Sequence, residues 1–357
     1  MPAVERLLAL IYIKELRGID EILPMNLNYI LIRFFQSILI IFIAVTINFV
    51  IPRMIPGDPI EAALSTKIAI SGTVSVDVEE MAKIYRKKFG LDQPYLIQYV
   101  NYLKDLATFN LGVSLVNFPE TVATQLISAL PWTIGLLVVS TIITFLLGTI
   151  IGAIIAWPSC PKWFHVLVIP FMLTSTIPFF LLGIILLFLF SVVWAVFPAG
   201  GGYSPLLIVD YDLESAIDIA YHAVLPSISL VFGSLGAWVL SMRAMMISVQ
   251  GDDYILFAKS RGVSNSRIFV WYCMRNALLP QFTNLALTLG TVIGGAVLVE
   301  IIFSYPGIGS ILFAAIAGKD YFVIQGIVYI LILSLAVCLF LIDLLYPLID
   351  PRIKYTN

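Results

Sequence analysis

The polar stretch 250–280 carries the residue types best suited to binding chemistry in this sequence. Asp252 and Asp253 can cap a helix, because their side-chain oxygens accept hydrogen bonds from free backbone N–H groups. Four residues of that helix fall at i, i+3, i+4 and i+7 and therefore share one face: Tyr254, Phe257, Ala258 and Arg261. Gly262 follows where a left-handed C-terminal residue belongs. The pattern predicts a short amphipathic helix that presents aromatic rings.

A second helix is predicted directly after the first, with Ser264 as its cap and its end near Asn276. Pro280 then marks the entry into the next apolar segment, because proline is tolerated in the first turn of a helix. An isolated two-turn helix is marginal in water. Two interpretations stay open: Tyr254 and Phe257 insert into a groove on a partner protein, or they pack against a membrane surface.

Residues for other kinds of chemistry are sparse. The three cysteines form no C-x-x-C pair, and His165 and His222 lie far apart, so the spacing does not support a metal site. No G-x-x-x-x-G-K-[ST] segment is present to hold a nucleotide phosphate. We find no paired carboxylates, histidine cluster or activated nucleophile, and no basic block of the kind that binds nucleic acid. The sequence therefore predicts no catalytic residue, metal or cofactor in this chain, and no nucleic-acid partner.

The composition indicates a membrane protein. Hydrophobic residues make up 60% of the chain, charged residues only 12%, and the mean hydropathy is +1.01; a soluble domain carries about 25% charged residues. A helix needs about 20 apolar residues to cross a bilayer. Six segments qualify, the third being long enough to hold a break at Pro178: 29–51, 132–157, 164–196, 223–249, 277–302 and 322–348. The sequence predicts an all-α polytopic membrane protein with six transmembrane helices.

The short loops indicate how these spans are oriented. Basic residues concentrate in the N-terminal segment, in the 250–276 loop and in the 349–357 tail, and the positive-inside rule places such segments in the cytoplasm. Both termini of this multi-pass cell-membrane protein are therefore predicted to be cytoplasmic. Residues 1–28 form a cytoplasmic N-terminal segment, read as an amphipathic helix on the inner membrane face in preference to a disordered tail.

The connection 52–131 is predicted to be a small helical extracellular domain. Residues 78–89 and 95–106 read as its helices, and Gly90 ends the first of them. The 197–222 and 303–321 loops are predicted to lie on the same side, where the acidic residues of 197–222 suit a protein partner or simply a solvated loop.

Polar residues inside the spans are candidates for a substrate pathway, since polar groups are costly against lipid. The candidates lie in the third to fifth spans, with the carboxylate near the outer mouth: Ser175, Thr176, Ser229, Ser234, Thr288, Thr291 and Glu300. The alternative for each hydroxyl is a hydrogen bond to a backbone carbonyl of its own helix.

The sequence resembles the permeases of binding-protein-dependent ABC transporters, in their peptide/nickel variant. The motifs that carry the resemblance stand in family order between about residues 28 and 355: Ile177–Gly183, Asp253-Tyr254, Ala258, Gly262, Arg275–Pro280 and Glu300–Gly309. The chain departs from the wider family's Glu-Ala-Ala motif, because Leu256 and Phe257 occupy its first two positions. The resemblance places the permease core at 120–347.

The resemblance implies a type I ABC importer permease, with one half of a translocation pathway in this chain. Its implied partners are a second homologous permease, two ABC ATPase subunits that hold ATP and Mg²⁺, and an extracytoplasmic substrate-binding protein. It also implies that a coupling helix contacts the ATPase, with the following residues: Asp253, Tyr254, Phe257, Ala258, Arg261 and Gly262. Di- and oligopeptides are the leading substrate class, and oligosaccharides or nickel are the alternatives.

An ion-coupled secondary transporter is the alternative from another class. Such a protein carries buried ionisable residues within its spans. Here Glu300 and Asp343 lie near the ends of their spans, and Arg243 lies near the inner end of the fourth. This placement favours the ATP-driven importer.

Overall fold

The computed structural model describes residues 27–54, 60–61, 78–88, 90–210, 212–291 and 297–349. Fourteen helices are named here in chain order: α1 Leu27–Met54, α2 Val78–Lys88, α3 Tyr95–Ala107, α4 Val122–Ala156, α5 Lys162–Val166, α6 Val168–Thr174, α7 Phe179–Leu187, α8 Leu213–Gln250, α9 Asp253–Ser260, α10 Asn265–Arg267, α11 Arg275–Thr291, α12 Val297–Ile302, α13 Ile308–Ala317 and α14 Tyr321–Ile349. The predicted N-terminal segment, apart from its last two residues, and nearly all of the predicted tail lie outside the described residues.

Four helices are long and apolar enough to cross a membrane: α1, α4, α8 and α14. A fifth crossing is formed if the bent pair Trp163–Thr174 and Phe179–Val193 counts as one span. The predicted fifth span, 277–302, falls on α11 and α12, which flank residues outside the described part of the chain. The all-α polytopic class agrees with these helices, and the count of six stays a prediction.

The second and fourth spans begin earlier than the sequence suggests. α4 starts at Val122 rather than Trp132, and α8 starts at Leu213 rather than Ala223. At 35 and 38 residues they are about 52 and 57 Å long, against a hydrocarbon core of about 30 Å. Residues 122–131, predicted as the end of the 52–131 domain, therefore continue the helix of the second span.

The helices predicted between the first and second spans are present. α2 and α3 match the predicted ranges within a residue at each end. Gly90 has φ of +64°, and the N–H of Leu91 donates to the carbonyl of Arg86 at 2.9 Å, so the chain turns at the expected glycine. Which side of the membrane this region occupies stays a prediction.

The third span is broken where Pro178 was expected to interrupt it. Its two halves meet at 96°, and Pro178 has the extended conformation that precedes α7. α6 packs closely on α8, since a Cβ on Gly236 would lie 2.0 Å from the carbonyl oxygen of Phe171. A Cβ on Gly233 would likewise lie 2.5 Å from the Cβ of Phe179.

Small residues also bring α4 and α8 together. A Cβ on Gly148 would lie 2.4 Å from the Cβ of Trp238, and one on Gly152 would lie 2.5 Å from the carbonyl oxygen of Val239. α1 packs mainly on α14, and a 3.5 Å ion pair joins Arg33 to Asp343. The carboxylate of Asp343 thus has a basic partner within the subunit.

Candidate functional site

The helix α9 begins and ends as its sequence predicts. Asp252 holds the N-cap position with φ of −74° and ψ of 143°, and its carbonyl accepts from the N–H of Ile255 at 3.0 Å. The prediction of a side-chain cap is wrong, because within the described residues the Asp252 side chain accepts no hydrogen bond from the first N–H groups of α9. At the other end Gly262 has φ of +76°, and the N–H of Val263 donates to the carbonyl of Ala258 at 3.2 Å.

The four residues predicted to share one face of α9 do not share an environment. Ala258 is 4% exposed and lies with Ile255 in an apolar cluster that includes Met242 and Met246 of α8. Phe257 is 63% exposed. The prediction that Ala258 faces a partner together with Phe257 is therefore corrected: the small side chain lets α9 lie against α8.

The exposed face of α9 is apolar at its centre. Leu256 and Phe257 both project from it, and the guanidinium of Arg261 lies 5.6 Å from the centre of the Phe257 ring. Leu256 was not among the residues predicted to contact a partner. The sequence did contain a signal for it, because an adjacent apolar pair within a polar segment suggests a contact surface.

Tyr254 is hydrogen-bonded within the subunit. Its hydroxyl oxygen accepts a hydrogen bond from Nδ2 of Asn276 at 2.7 Å, and the same amide donates to the carbonyl of Tyr272 at 2.9 Å. Burial raises the pKa of Tyr254, so the phenol keeps its proton at neutral pH. Tyr254 therefore joins α9 to the base of α11.

The second predicted helix does not end near Asn276. α10 passes into a π-helical segment, Ile268–Met274, which continues directly into α11. Ile268 and Cys273 of this segment are fully buried in the cluster that holds Ala258. Pro280 consequently lies inside a continuous helix that extends from the polar stretch into the predicted fifth span.

The candidate pathway hydroxyls donate hydrogen bonds to backbone carbonyls close to them in sequence. Each donates to a carbonyl three or four residues earlier: Ser175 to Met172, Thr176 to Leu173, Ser229 to Pro226, Ser234 to Leu230 and Thr288 to Asn284. Ser175 and Thr176 are exposed at the break in the third span. Ser229 is fully buried, so its assignment to the pathway is corrected. The side chain of Thr291 lies outside the described residues.

Glu300 is enclosed rather than placed at an outer mouth. It is 1% exposed. Its Oε1 accepts from the hydroxyl of Thr133 at 2.7 Å, and its Oε2 accepts from the N–H of Gly309 at 2.6 Å. The predicted pathway role of Glu300 is therefore corrected, because both carboxylate oxygens are bonded inside the subunit.

The loop before α8 is fixed to that helix. Oδ1 of Asp218 accepts from the Ser204 hydroxyl at 2.7 Å, and Oδ2 accepts from the Ser204 N–H at 2.6 Å. These two bonds join the start of the loop to the first turns of α8. Within this anchored loop Leu206 is 98% exposed and Ile208 is 89% exposed.

Comparison with known proteins identifies the family of the chain. Residues 148–355 match the family described as "Binding-protein-dependent transport system inner membrane component". The oligopeptide transport system permease protein AppB of Bacillus subtilis is 30% identical over 327 residues, which cover 92% of this chain and 99% of AppB. The dipeptide transport system permease protein DppB of Escherichia coli K12 is 30% identical over 331 residues, covering 88% and 95%.

A third relative extends the same pattern. The di/tripeptide transport system permease protein DppB of Pseudomonas aeruginosa is 32% identical over 332 residues, covering 88% of this chain and 95% of the relative. The family match spans more than half of the chain, and each relative aligns over most of both lengths. This chain belongs to the family of binding-protein-dependent transport system inner membrane components.

Proposed function

We propose that this chain is a permease subunit of an ATP-driven ABC importer and forms half of a pathway for di- and oligopeptides. The observation that carries the proposal is the similarity, over most of the chain, to relatives named as dipeptide, di/tripeptide and oligopeptide transport system permeases. Both termini lie in the cytoplasm in this proposal, and the 52–131 connection lies outside the cell.

The partners follow from this architecture. A second homologous permease completes the pathway, two ABC ATPase subunits bind ATP and Mg²⁺, and a substrate-binding protein delivers the peptide. This chain is not itself an enzyme, and hydrolysis takes place in the ATPase subunits.

We assign the ATPase contact to the exposed face of α9, with Phe257 and Leu256 at its centre and Arg261 beside them. An apolar pair exposed on a polar segment gains free energy when a partner covers it, because its apolar surface is then removed from water. Asp253 and Gly262 bound the helix, and Tyr254 connects it to α11. Ala258 sets the position of the helix without touching the partner.

The binding protein docks on the opposite face, where the loop 204–210 is the strongest candidate. Leu206 and Ile208 are almost wholly exposed, and Asp218 fixes the start of the loop through Ser204. A fixed apolar loop loses little conformational entropy on binding. The neighbouring acidic residues Asp212 and Glu214 favour a partner with basic residues around its docking surface.

The pathway follows the break in the third span and the facing surface of α11. Ser175 and Thr176 are exposed at the break, while Ser234 and Thr288 are half-buried. Thr291 completes the candidate set by its position in α11. Their hydroxyl oxygens retain lone pairs that can accept from a passing peptide N–H group.

Uptake by the assembled transporter tests the proposal. The chain is co-expressed with the permease, ATPases and binding protein encoded beside its gene, and the complex is placed in proteoliposomes with ATP inside. Labelled dipeptide should accumulate with ATP and should fail to accumulate when the ATPase subunits cannot hydrolyse it. Uptake of an oligosaccharide or nickel instead would refute the substrate assignment. Uptake that stops on collapse of an ion gradient, with ATP intact, would refute the importer class.

A further inference from the structure

The buried carboxylate of Glu300 lies at a junction of three helices. Thr133 belongs to α4, Glu300 to α12, and Gly309 to the first turn of α13. The Thr133 hydroxyl donates to Glu300 and also accepts from the N–H of Ile308 at 2.9 Å. We name these four residues the outer joint. The carboxylate and the hydroxyl thereby each accept a hydrogen bond from one backbone N–H group at the start of α13.

Glycines give the outer joint the space it needs. A Cβ on Gly307 would lie 2.3 Å from Cδ of Glu300. One on Gly309 would lie 2.6 Å from the Cα of Val297. Both distances are far below van der Waals contact. A side chain at position 307 would displace the Glu300 carboxylate, and one at position 309 would push α13 away from the backbone of α12.

Three outer segments meet beside the joint. Trp132, the neighbour of Thr133, stacks on Tyr203 with ring centres 5.9 Å apart and meets the edge of Tyr305 at 5.6 Å. The N–H of Gly201 donates to the carbonyl of Phe303 at 2.9 Å. The α4 segment around Trp132, the loop at 200–203 and the segment leading to α13 therefore form one packed unit.

A packing role alone does not account for a carboxylate at this position. A buried charge is costly unless hydrogen bonds satisfy it, and an apolar side chain of similar volume often stabilises such a site as well or better. Every partner described for the Glu300 carboxylate is a hydroxyl or a backbone N–H, and α13 directs the positive end of its dipole at it. Such bonds are directional, so they fix the angle at which α13 meets α4.

We propose that Glu300 is a positioning residue for transport, which locks α13 to α4 through Thr133 and Gly309. In this arrangement the outer end of α13 has to move together with the second span when the pathway opens. The transport part of the inference rests on the proposed function, while the lock between α4 and α13 is a property of this chain alone.

The lock is tested by distance measurements on the assembled transporter in nanodiscs. Spin labels replace Ile127 of α4 and Phe313 of α13, which are 69% and 53% exposed. In the unsubstituted joint, one narrow distance distribution should persist without nucleotide and with trapped ATP. Glu300→Gln replaces one acceptor oxygen with an amide N–H donor, so only one of the two bonds can keep its acceptor, and the distribution should broaden. Asp105→Asn, at an exposed carboxylate of α3, is the matched control and should change nothing.

Transport is measured on the same proteins. Glu300→Gln should lower the peptide taken up per ATP hydrolysed by roughly tenfold, the scale of a lost hydrogen bond to a charged group, while ATP hydrolysis continues. Thr133→Val removes the bridging hydroxyl at nearly constant volume and repeats the test if Glu300→Gln does not assemble.

An unchanged distance distribution in both variants would overturn the lock. A broadened distribution with normal uptake per ATP would overturn the role in transport. If the unsubstituted transporter moves no peptide, the proposed function fails, and the distance measurement still decides whether the lock exists.

Discussion

Nδ2 of Asn276 lies 2.7 Å from the hydroxyl oxygen of Tyr254 and donates a hydrogen bond to it. The two residues are 22 positions apart, on α9 and at the start of α11. This bond and the apolar cluster that holds Ala258 and Ala277 both join the surface assigned to the ATPase to α11. We therefore expect a displacement of α9 to be passed to α11.

Tyr254→Phe should reduce coupling while leaving assembly intact. The substitution keeps the ring and removes the hydroxyl, so the Asn276 amide loses one acceptor. A net hydrogen bond is worth about 1 kcal/mol, and we expect a several-fold loss in the stimulation of ATP hydrolysis by the peptide-loaded binding protein. Asn276→Ala should have a similar effect, and the double variant should be no worse than either single one. Additive losses would argue against a shared bond.

Phe257→Asp should prevent productive contact with the ATPase. The change places a charge in a surface that is expected to be apolar when covered, at a cost of several kcal/mol if the charge is desolvated without a partner. Co-purification of the ATPase subunits and stimulated hydrolysis should both fall by more than tenfold. Phe257→Leu, which keeps an apolar side chain, should stay near the unsubstituted level. Normal stimulated hydrolysis in Phe257→Asp would contradict the assignment of this face.

Ala258→Leu should act on stability rather than on the ATPase surface. Ala258 is packed against Met242 and Met246, so extra methylene groups overfill the cluster, typically at about 1–3 kcal/mol. The thermal unfolding temperature of the isolated chain in detergent should fall. If the isolated chain keeps its stability and only ATPase binding is lost, Ala258 contacts the partner after all.

Gly236→Ala should separate the broken third span from α8. The new Cβ would lie 2.0 Å from the carbonyl oxygen of Phe171, so α6 has to shift. We expect a lower unfolding temperature and a loss of uptake. Gly135→Ala in α4 is the control, because its new Cβ would meet nothing within 4 Å. Equal behaviour of the two variants would contradict the close packing.

Leu206→Ser together with Ile208→Ser should weaken docking of the binding protein. Both side chains are exposed in the loop, so the two serines remove apolar contact area without adding charge or disturbing a core. The affinity for the binding protein, measured by biolayer interferometry on nanodiscs, should fall at least tenfold. Basal ATP hydrolysis should not change. An unaltered affinity would exclude this loop from the docking surface.

Local signals were sufficient for several elements of the fold. The glycine stop of α2, the left-handed Gly262 and the break at Pro178 all depend on a few neighbouring residues. The start of α4 was predicted ten residues too late, at residue 132, although the helix continues through Pro131. Proline is tolerated in membrane helices when neighbouring groups satisfy the freed carbonyl.

Tertiary contacts decided the remaining features. The Thr133 hydroxyl that bonds Glu300 lies 167 residues earlier in the chain, so the burial of the carboxylate had no local signature. Ala258 and Phe257 are adjacent in sequence, and only the presence of α8 on one side gives them different environments. The burial of Ile268 and Cys273 in that cluster likewise had no local signature.

The helix α8 is long enough to connect the exposed loop at its start to α9 at its end. Its outer end carries Asp218, which fixes the exposed loop, and its inner end at Gln250 lies next to the start of α9. A tilt of about 10° around the midpoint of a helix about 57 Å long carries the two ends about 5 Å in opposite directions. In the proposed orientation, a force applied outside the membrane and a force applied beneath it therefore act on opposite ends of the same helix.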